Sequence, residues 1–430
     1  MADPVSSVAY AVEAALRALD GDLALLVPTM FLVVAIIALV IVNYQQLVRR
    51  YPRGGGASAA TGEAFGEAWA FLPIGALVVD FVLTISISAS AGASAVIAYL
   101  PGLAPLRLPL ALALVVVVGA ISWFGHVGRL FFAVMTLVFI AVAVAVLAFG
   151  LLAAPGGTGT ITTTSPHPPV LAILLAFPVA MALATGVEAP SSAIAQLGQL
   201  DDDGRRQFGR VTLWLTLAVV GSITVGLALE ARRLHIGVPH DDTTLIAELA
   251  RVAAPAPLFA VFQLMTALLL LSAASSSFQA GPGLLKALAR REGPGGQVVG
   301  VLPGAVGRTN RHHTPYVGVA LFTVVSALVV AAAGGRDQRL VLFYAVSVFL
   351  SFLAGLAAMA VFSHAEGRSR SLVLNVVGAV VVAFTLVVNL SRGLPVVSLA
   401  ASALIAGGLW VSWVRAGRPG GIRDLESGQE

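Results

Sequence analysis

The chain has no cysteine. That excludes disulfide scaffolds, thiolate zinc sites and iron–sulfur clusters, and leaves the redox compartment open. Charge is the second scarcity. Asp, Glu, Lys and Arg make up 11% of the 430 residues, against about a quarter in an ordinary soluble domain, so most of the surface is expected to face something other than water. No basic n-region precedes the first apolar segment: Met1 is followed by Asp3 and Glu13, so no secretory signal is read and that segment is expected to persist in the mature protein. Metal-ligand spacing is lacking too. His126, His167, His235, His240, His312, His313 and His364 all fall in loops or at the ends of apolar runs. Gly54-Gly55-Gly56 carries no Lys-Ser/Thr and follows no strand, so it is no phosphate loop. Nothing in the chain reads as an enzyme, a cofactor site or a nucleic-acid-binding patch.

What is abundant is apolar sequence, 58% of all residues. A membrane-spanning helix needs about 20 mainly apolar residues to cross a core of roughly 30 Å. Segments that meet this lie at 23–48, 68–99, 108–124, 130–153, 169–197, 211–230, 256–276, 315–333, 340–363, 371–390 and 394–414. A further segment, 4–19, is too brief and too polar to span alone. Lipid cannot satisfy a bare backbone, and no run alternates as a barrel strand would, so the segments are read as helices. The chain is thus expected to be an all-α polytopic membrane protein embedded in a lipid bilayer.

The loops set the orientation. If the first short segment ends outside, loops 49–66, 125–129, 198–210, 277–313, 364–370 and the tail from 415 face the cytoplasm. They hold 17 of the 25 Lys and Arg residues, which follows the positive-inside rule. Residues 155–169 form a Pro/Gly/Thr-rich outer loop, and 417–430 a short polar cytoplasmic tail. The expected location is the plasma (inner) membrane, with the C-terminus cytoplasmic.

Ionisable groups at membrane depth are expensive, and each is by default a functional hypothesis. Asp3, Ser6, Ser7 and Tyr10 share one helical face, with Pro4 disfavouring a regular helix beside the acid. Thr185-Gly186-Val187-Glu188-Ala189-Pro190-Ser191-Ser192 lies inside a long apolar run, where Gly186 and Pro190 are expected to break the helix. The two segments resemble each other: an acid, a proline within two residues, then Ser-Ser at +3 and +4. Paired interruptions of this kind in two halves of a chain point to a transporter binding site. The plainer alternative is a kink at each place, with serines bonding back to the preceding turn. Asp80 and Thr84 form a third polar place. Asp80 could instead be paired to an arginine or a backbone group, Thr84 could serve helix packing, and Tyr344 on pattern alone reads as an interfacial anchor.

Further motifs carry a resemblance. The loop Tyr51-Pro52-Arg53-Gly54-Gly55-Gly56-Ala57, the stretch Gly62-Glu63-Ala64-Phe65-Gly66 and TGVEA at 185–189 are similar to the amino acid–polyamine–organocation (APC) superfamily, over the chain to about residue 415. Within it, DPVSSVAYAVE at 3–13 resembles the DALSSVAYATE pattern of the KimA-type potassium importers, as do VDFVLTISIS at 79–88, SSF at 276–278 and FYAVSVFLSF at 343–352. The resemblance implies a LeuT-type 5+5 inverted repeat, about 1–153 and 169–363, with two further helices at 371–414. It implies proton-coupled potassium uptake, with cation ligands at Asp3, Tyr10, Thr84, Thr185, Glu188 and Tyr344. Ser6, on the Asp3 face, and Phe81 complete the candidate site. Asp3, Asp80 and Glu188 are the candidates for carrying the coupled proton. Potassium is then the one metal ion expected, as cargo, with no transition metal and no cofactor; a homodimer is left open.

Two departures from the pattern stand out. The pattern has a half-helix before the acidic motif, so the first helix reads as truncated (eleven full spans plus a half-helix), and an apolar segment is expected in frame within about 25–35 codons upstream of Met1. It also has tyrosine where this chain has Phe81. The rival expectations are amino acid or polyamine permeation on the same fold, and a transport-inactive membrane scaffold. Phe81→Tyr supplies the missing oxygen. A hydrogen-bond-strength contact to a charged group is worth roughly 1.5–3 kcal/mol, so the substitution is expected to tighten apparent potassium affinity about ten- to a hundredfold. Concentration-dependent uptake measures this, and an unchanged potassium curve would count against a ligand role at position 81.

Overall fold

The computed structural model describes residues 2–125, 129–163, 166–188, 191, 194, 197, 199–289, 291–292, 298–420 and 422. Pro190 and Ser192, expected to shape the second interruption, lie outside the described residues. The helices are α1 (Ala2–Ser6), α2 (Val8–Ala18), α3 (Leu23–Arg50), α4 (Gly56–Phe65), α5 (Phe71–Tyr99), α6 (Arg107–Trp123), α7 (Arg129–Gly150), α8 (Pro169–Ala180), α9 (Asp202–Leu234), α10 (Leu245–Ala253), α11 (Ala256–Ala289), α12 (Tyr316–Ala333), α13 (Asp337–Ala365), α14 (Ser369–Ser391) and α15 (Val396–Arg415). Among the described residues the only strands are a two-residue antiparallel pair, Arg291–Glu292 against Val298–Val299. The all-α polytopic architecture is therefore the observed one.

Ten of the described helices are long and apolar enough to cross a membrane, and Pro169–Ala184 is a shorter apolar helix. The segment read as a full span over 169–197 is thus cut short. Pro178 lies within α8; the helix tightens to a 3-10 turn at Met181–Ala184 and stops at Thr185, whose ψ of 143° is extended. The apolar run at 211–230 belongs to a longer helix, because the charged ends of α9 lie outside any apolar window.

Helices α5 and α13 sit at the centre. α11 packs along α5, and α14 along α13. Their windows are mostly buried inside the protein, whereas α6, α14 and α15 turn most of their length to the surroundings. Aliphatic side chains exposed on those helices, such as Val116, Val380 and Leu404, suit lipid contact. Polar contacts fix the packing in between. Asn43 on α3 donates to Asn375 on α14 at 3.0 Å, and Asn375 donates to Gln46 at 3.0 Å and to Ser363 on α13 at 3.2 Å. At the arginine-rich face, Arg50 pairs with Glu63 and Glu366, each at 2.6 Å, and stacks over the Phe362 ring. This guanidinium holds the Glu366 carboxyl below its ordinary range.

The two interruptions face each other. Between α1 and α2 the helical register breaks at Ser7, three residues beyond Pro4, and not at the Asp3-Pro4 step itself. The Ser7 hydroxyl bonds back to the Pro4 carbonyl at 2.7 Å and reaches across to the Leu183 carbonyl, at the end of the other broken helix, at 3.1 Å. From α14, Asn389 donates to the Pro178 carbonyl at 2.9 Å and Arg392 to the Leu175 carbonyl at 2.6 Å, serving α8 where its proline disrupts the ladder. Gly186 then turns the chain with φ +75°, and a side chain there would lie 2.9 Å from the Asp3 carboxyl and from the Pro4 ring. Gly186→Ala therefore meets both a left-handed backbone and a close neighbour. It should destabilise the protein by more than about 1 kcal/mol, read as a lowered melting temperature in detergent; an unchanged melting temperature would show that the two breaks do not pack this closely.

Candidate functional site

Four hydroxyls meet beside the interruptions. Tyr344 on α13 and Thr84 on α5 share a hydrogen bond of 2.5 Å. Tyr10 on α2 and Thr185 lie beside this pair, and the Thr185 hydroxyl donates to the Ala182 carbonyl at 3.0 Å. All four are buried, none with more than 1% of its surface exposed. The sequence places each on a different element, and the reason they converge is local. Thr185 is the first extended residue after the 3-10 turn, while Tyr10 lies in the first turn of α2 after the Ser7 break. Thr84 and Tyr344 come from the two central helices, which pack directly.

Three carboxyls adjoin this group. Asp80 on α5 lies beside Glu188 and near Asp3, Tyr10 and Tyr344. Asp3 rests on Gly186. The plain alternative of an arginine partner for Asp80 is thus not what the structure shows: its neighbour is a second acid. Gathering acids at membrane depth is costly without compensating positive charge. Oδ1 of Asp3, Oδ1 of Asp80 and the Ser88 hydroxyl are buried and have no hydrogen-bond partner among the described residues. Buried polar atoms of that kind ask for a ligand or a water.

Of the candidates read from sequence, Asp3, Tyr10, Thr84, Thr185, Glu188, Tyr344 and Asp80 come together here. Ser6 does not join them through its side chain, since its hydroxyl donates to the Asp3 carbonyl at 2.7 Å. Ser191 likewise bonds back to the Glu188 carbonyl at 2.6 Å. For these two serines the plain reading, a hydroxyl serving its own helical turn, describes what is seen. Phe81 is half-buried and packs with a second apolar cluster, built largely from α5, α6, α11 and α12, outside the hydroxyl cluster. Two further residues of the site are not among the candidate ligands read from the sequence. Ser7 joins the two breaks, and Ser88 stands one turn beyond Thr84 on the same face of α5. The repeated Ser-Ser pattern and the i, i+4 spacing are the signals available for them.

The site lies where two discontinuous helices meet two continuous ones. Such an arrangement can replace the water shell of a small cation with hydroxyl and carboxyl oxygens. Comparison with known proteins agrees with this architecture. The chain matches the amino acid permease family over residues 2–410. It is 28% identical over 398 residues to the potassium transporter KimA of Bacillus subtilis (strain 168), a match that covers 88% of this chain and 63% of that protein. The chain therefore spans less than two thirds of the length of this relative. With the family pattern running through nearly every helix from α1 to α15, the chain belongs to the amino acid permease family of membrane transporters.

Proposed function

We propose that this transporter takes up potassium coupled to protons, across the plasma membrane and with its C-terminus in the cytoplasm. The observation that carries the reading is the joint presence of four buried hydroxyls, two of them bonded to each other, and three acids at the meeting of two helix breaks. Potassium sheds its water only where several oxygens take the water's place, and this cluster supplies them without any positive side chain among its members. The candidate cation ligands are Asp3, Tyr10, Thr84, Thr185, Glu188 and Tyr344. Ser6 contributes by fixing the Asp3 carbonyl, while Phe81, packed against the second apolar cluster, supplies no ligand.

The coupled proton is assigned to the acids. Asp80 and Glu188 lie side by side, and two neighbouring acids at membrane depth are suited to holding a proton between them. Asp3, across the break, completes the set. An inverted repeat of about 1–153 and 169–363 fits the pairing of one interrupted helix with the other. The basic loops, with 17 of the 25 Lys and Arg residues, support the orientation. The name of the Bacillus relative supports the cargo.

Amino acid or polyamine uptake is the second reading, favoured by the family description. An α-carboxylate, however, wants N–H donors at the helix break, and here Asp3 occupies that place. Uptake of potassium or rubidium by cells lacking their own potassium importers decides between the two. Labelled amino acid uptake without potassium uptake would favour the second. In the same cells Asp3→Asn and Glu188→Gln should each lower rubidium uptake to background while surface expression stays normal. Near-normal uptake by either variant would remove that residue from the essential set.

A further inference from the structure

Glu13 is a buried carboxylate that the cation site does not use. It stands one turn beyond Tyr10 on α2, 3% exposed. Its Oε1 accepts from Arg17 at 2.8 Å, and its Oε2 accepts from the backbone N–H of Leu245 at 2.9 Å. Leu245 is the first residue of α10, whose N-cap Thr244 serves a different donor, Ala247 N–H, at 3.2 Å. Glu13 thus satisfies one of the donors that a helix leaves open at its start, and does so at the positive end of the helix dipole.

The segment from Gly237 to Ala253 lies across the outer end of the helices that form the site. Arg17 donates to the Pro239 carbonyl at 3.1 Å. Arg107 on α6 donates to the Asp241 carbonyl and to Ser94 on α5, and Ser94 donates to Asp337 at the start of α13. Arg336 pairs with Asp241, and Arg251 reaches the Ala98 carbonyl at the end of α5. This segment is therefore tied to α2, α5 and α13, the helices that carry Tyr10, Thr84 and Tyr344. Gln338 on α13 donates to the Tyr10 carbonyl at 3.4 Å, directly between the segment and the site.

These ties are not equal. The Arg336–Asp241 pair is exposed on both sides, so water replaces it at little cost. The bond from Leu245 N–H to Glu13 is buried, and its loss leaves a carboxylate oxygen and a backbone donor away from water. We propose that Glu13 is a positioning residue of the transport cycle: its carboxylate latches α10 over the outer end of the site, and release of that latch admits cargo from outside. The proposal rests on the proposed orientation and on the transporter family, and is independent of which cargo is carried.

The test uses the natural absence of cysteine. Val341 is buried on α13, one turn inward of Asp337 and one turn outward of Tyr344 on the same face. Val48 is buried near the opposite end of α3. Val341→Cys and Val48→Cys, each the sole thiol of the full chain in detergent, report on the outer and inner sides through their rate of labelling by a charged methanethiosulfonate. Adding Glu13→Ala should speed labelling at position 341 by about tenfold or more, the factor expected for one lost charged hydrogen bond, and leave position 48 unchanged. Glu13→Gln keeps an acceptor for Leu245 but loses the ion pair with Arg17, so it should act in the same direction by a smaller factor; it carries the test alone if the alanine variant does not fold. An unchanged rate at position 341 would overturn the latch, and so would equal acceleration at both positions, which would mean general loosening. Because labelling needs no transport, failure here is distinct from failure of the potassium reading.

Discussion

The contact between the two helix interruptions sets the rest of the architecture. A broken helix in hydrocarbon leaves backbone groups that lipid cannot satisfy, and such breaks persist only where protein surrounds them. Here each break is covered by the other. Ser7 bonds the carbonyl of Leu183, and Asp3 lies against Gly186 too closely for any side chain to intervene. The long helices α5 and α13 complete the enclosure. From outside the pair, α14 serves the carbonyls of Leu175 and Pro178. One of the two helices beyond the proposed repeats thereby holds the proline-disrupted part of α8 in place.

That enclosure explains why acids and hydroxyls gather at one depth. A packed apolar interior would exclude Asp3, Asp80 and Glu188, and among the described residues no arginine belongs to their cluster. The energetic logic favours a mobile positive charge as the missing partner, supplied by cargo, proton or both. In the hydroxyl cluster Thr84 and Tyr344 bond each other at 2.5 Å and Thr185 is held by the Ala182 carbonyl at 3.0 Å, with Tyr10 buried beside them. An oxygen cage prepared in advance avoids part of the ordering cost of binding. The same enclosure requires a route that opens, and the polar ties at the two ends, Arg50 with Glu63 and Glu366 on one side and Glu13 with α10 on the other, are the contacts such motion has to break.

Much of this is legible in the residues. Apolar runs of spanning length give the ten long helices because the bilayer allows little else, and acids beside Gly and Pro mark the breaks because neither suits a buried helix. The spacing of Asp3 to Tyr10 does not reveal which serine serves its own turn and which crosses to another helix; that depends on rotamers, and Ser6 and Ser7 divide the two roles. Short helices also escape a hydropathy reading. α4 and α10 are too brief to span, and what stabilises them is their packing on distant elements. The partner of Asp80 is open in the sequence among an arginine, a backbone group and a ligand, since spacing carries no information about contacts between positions 80 and 188. Phe81 lies three residues from Thr84, yet its ring packs against the second apolar cluster, a contact that spacing along the helix does not reveal.

The central claim is that the junction of the two breaks binds a desolvated potassium ion. Ligand-dependent thermal unfolding of the purified, detergent-solubilised chain tests it most directly, because binding to the folded state stabilises by about 2.7 kcal/mol at a hundredfold excess over Kd. Potassium and rubidium, at constant ionic strength, should raise the melting temperature in a saturable manner, with sodium and amino acids far weaker, and the rise should vanish in Asp3→Asn. A melting temperature indifferent to potassium but raised by an amino acid would contradict the account.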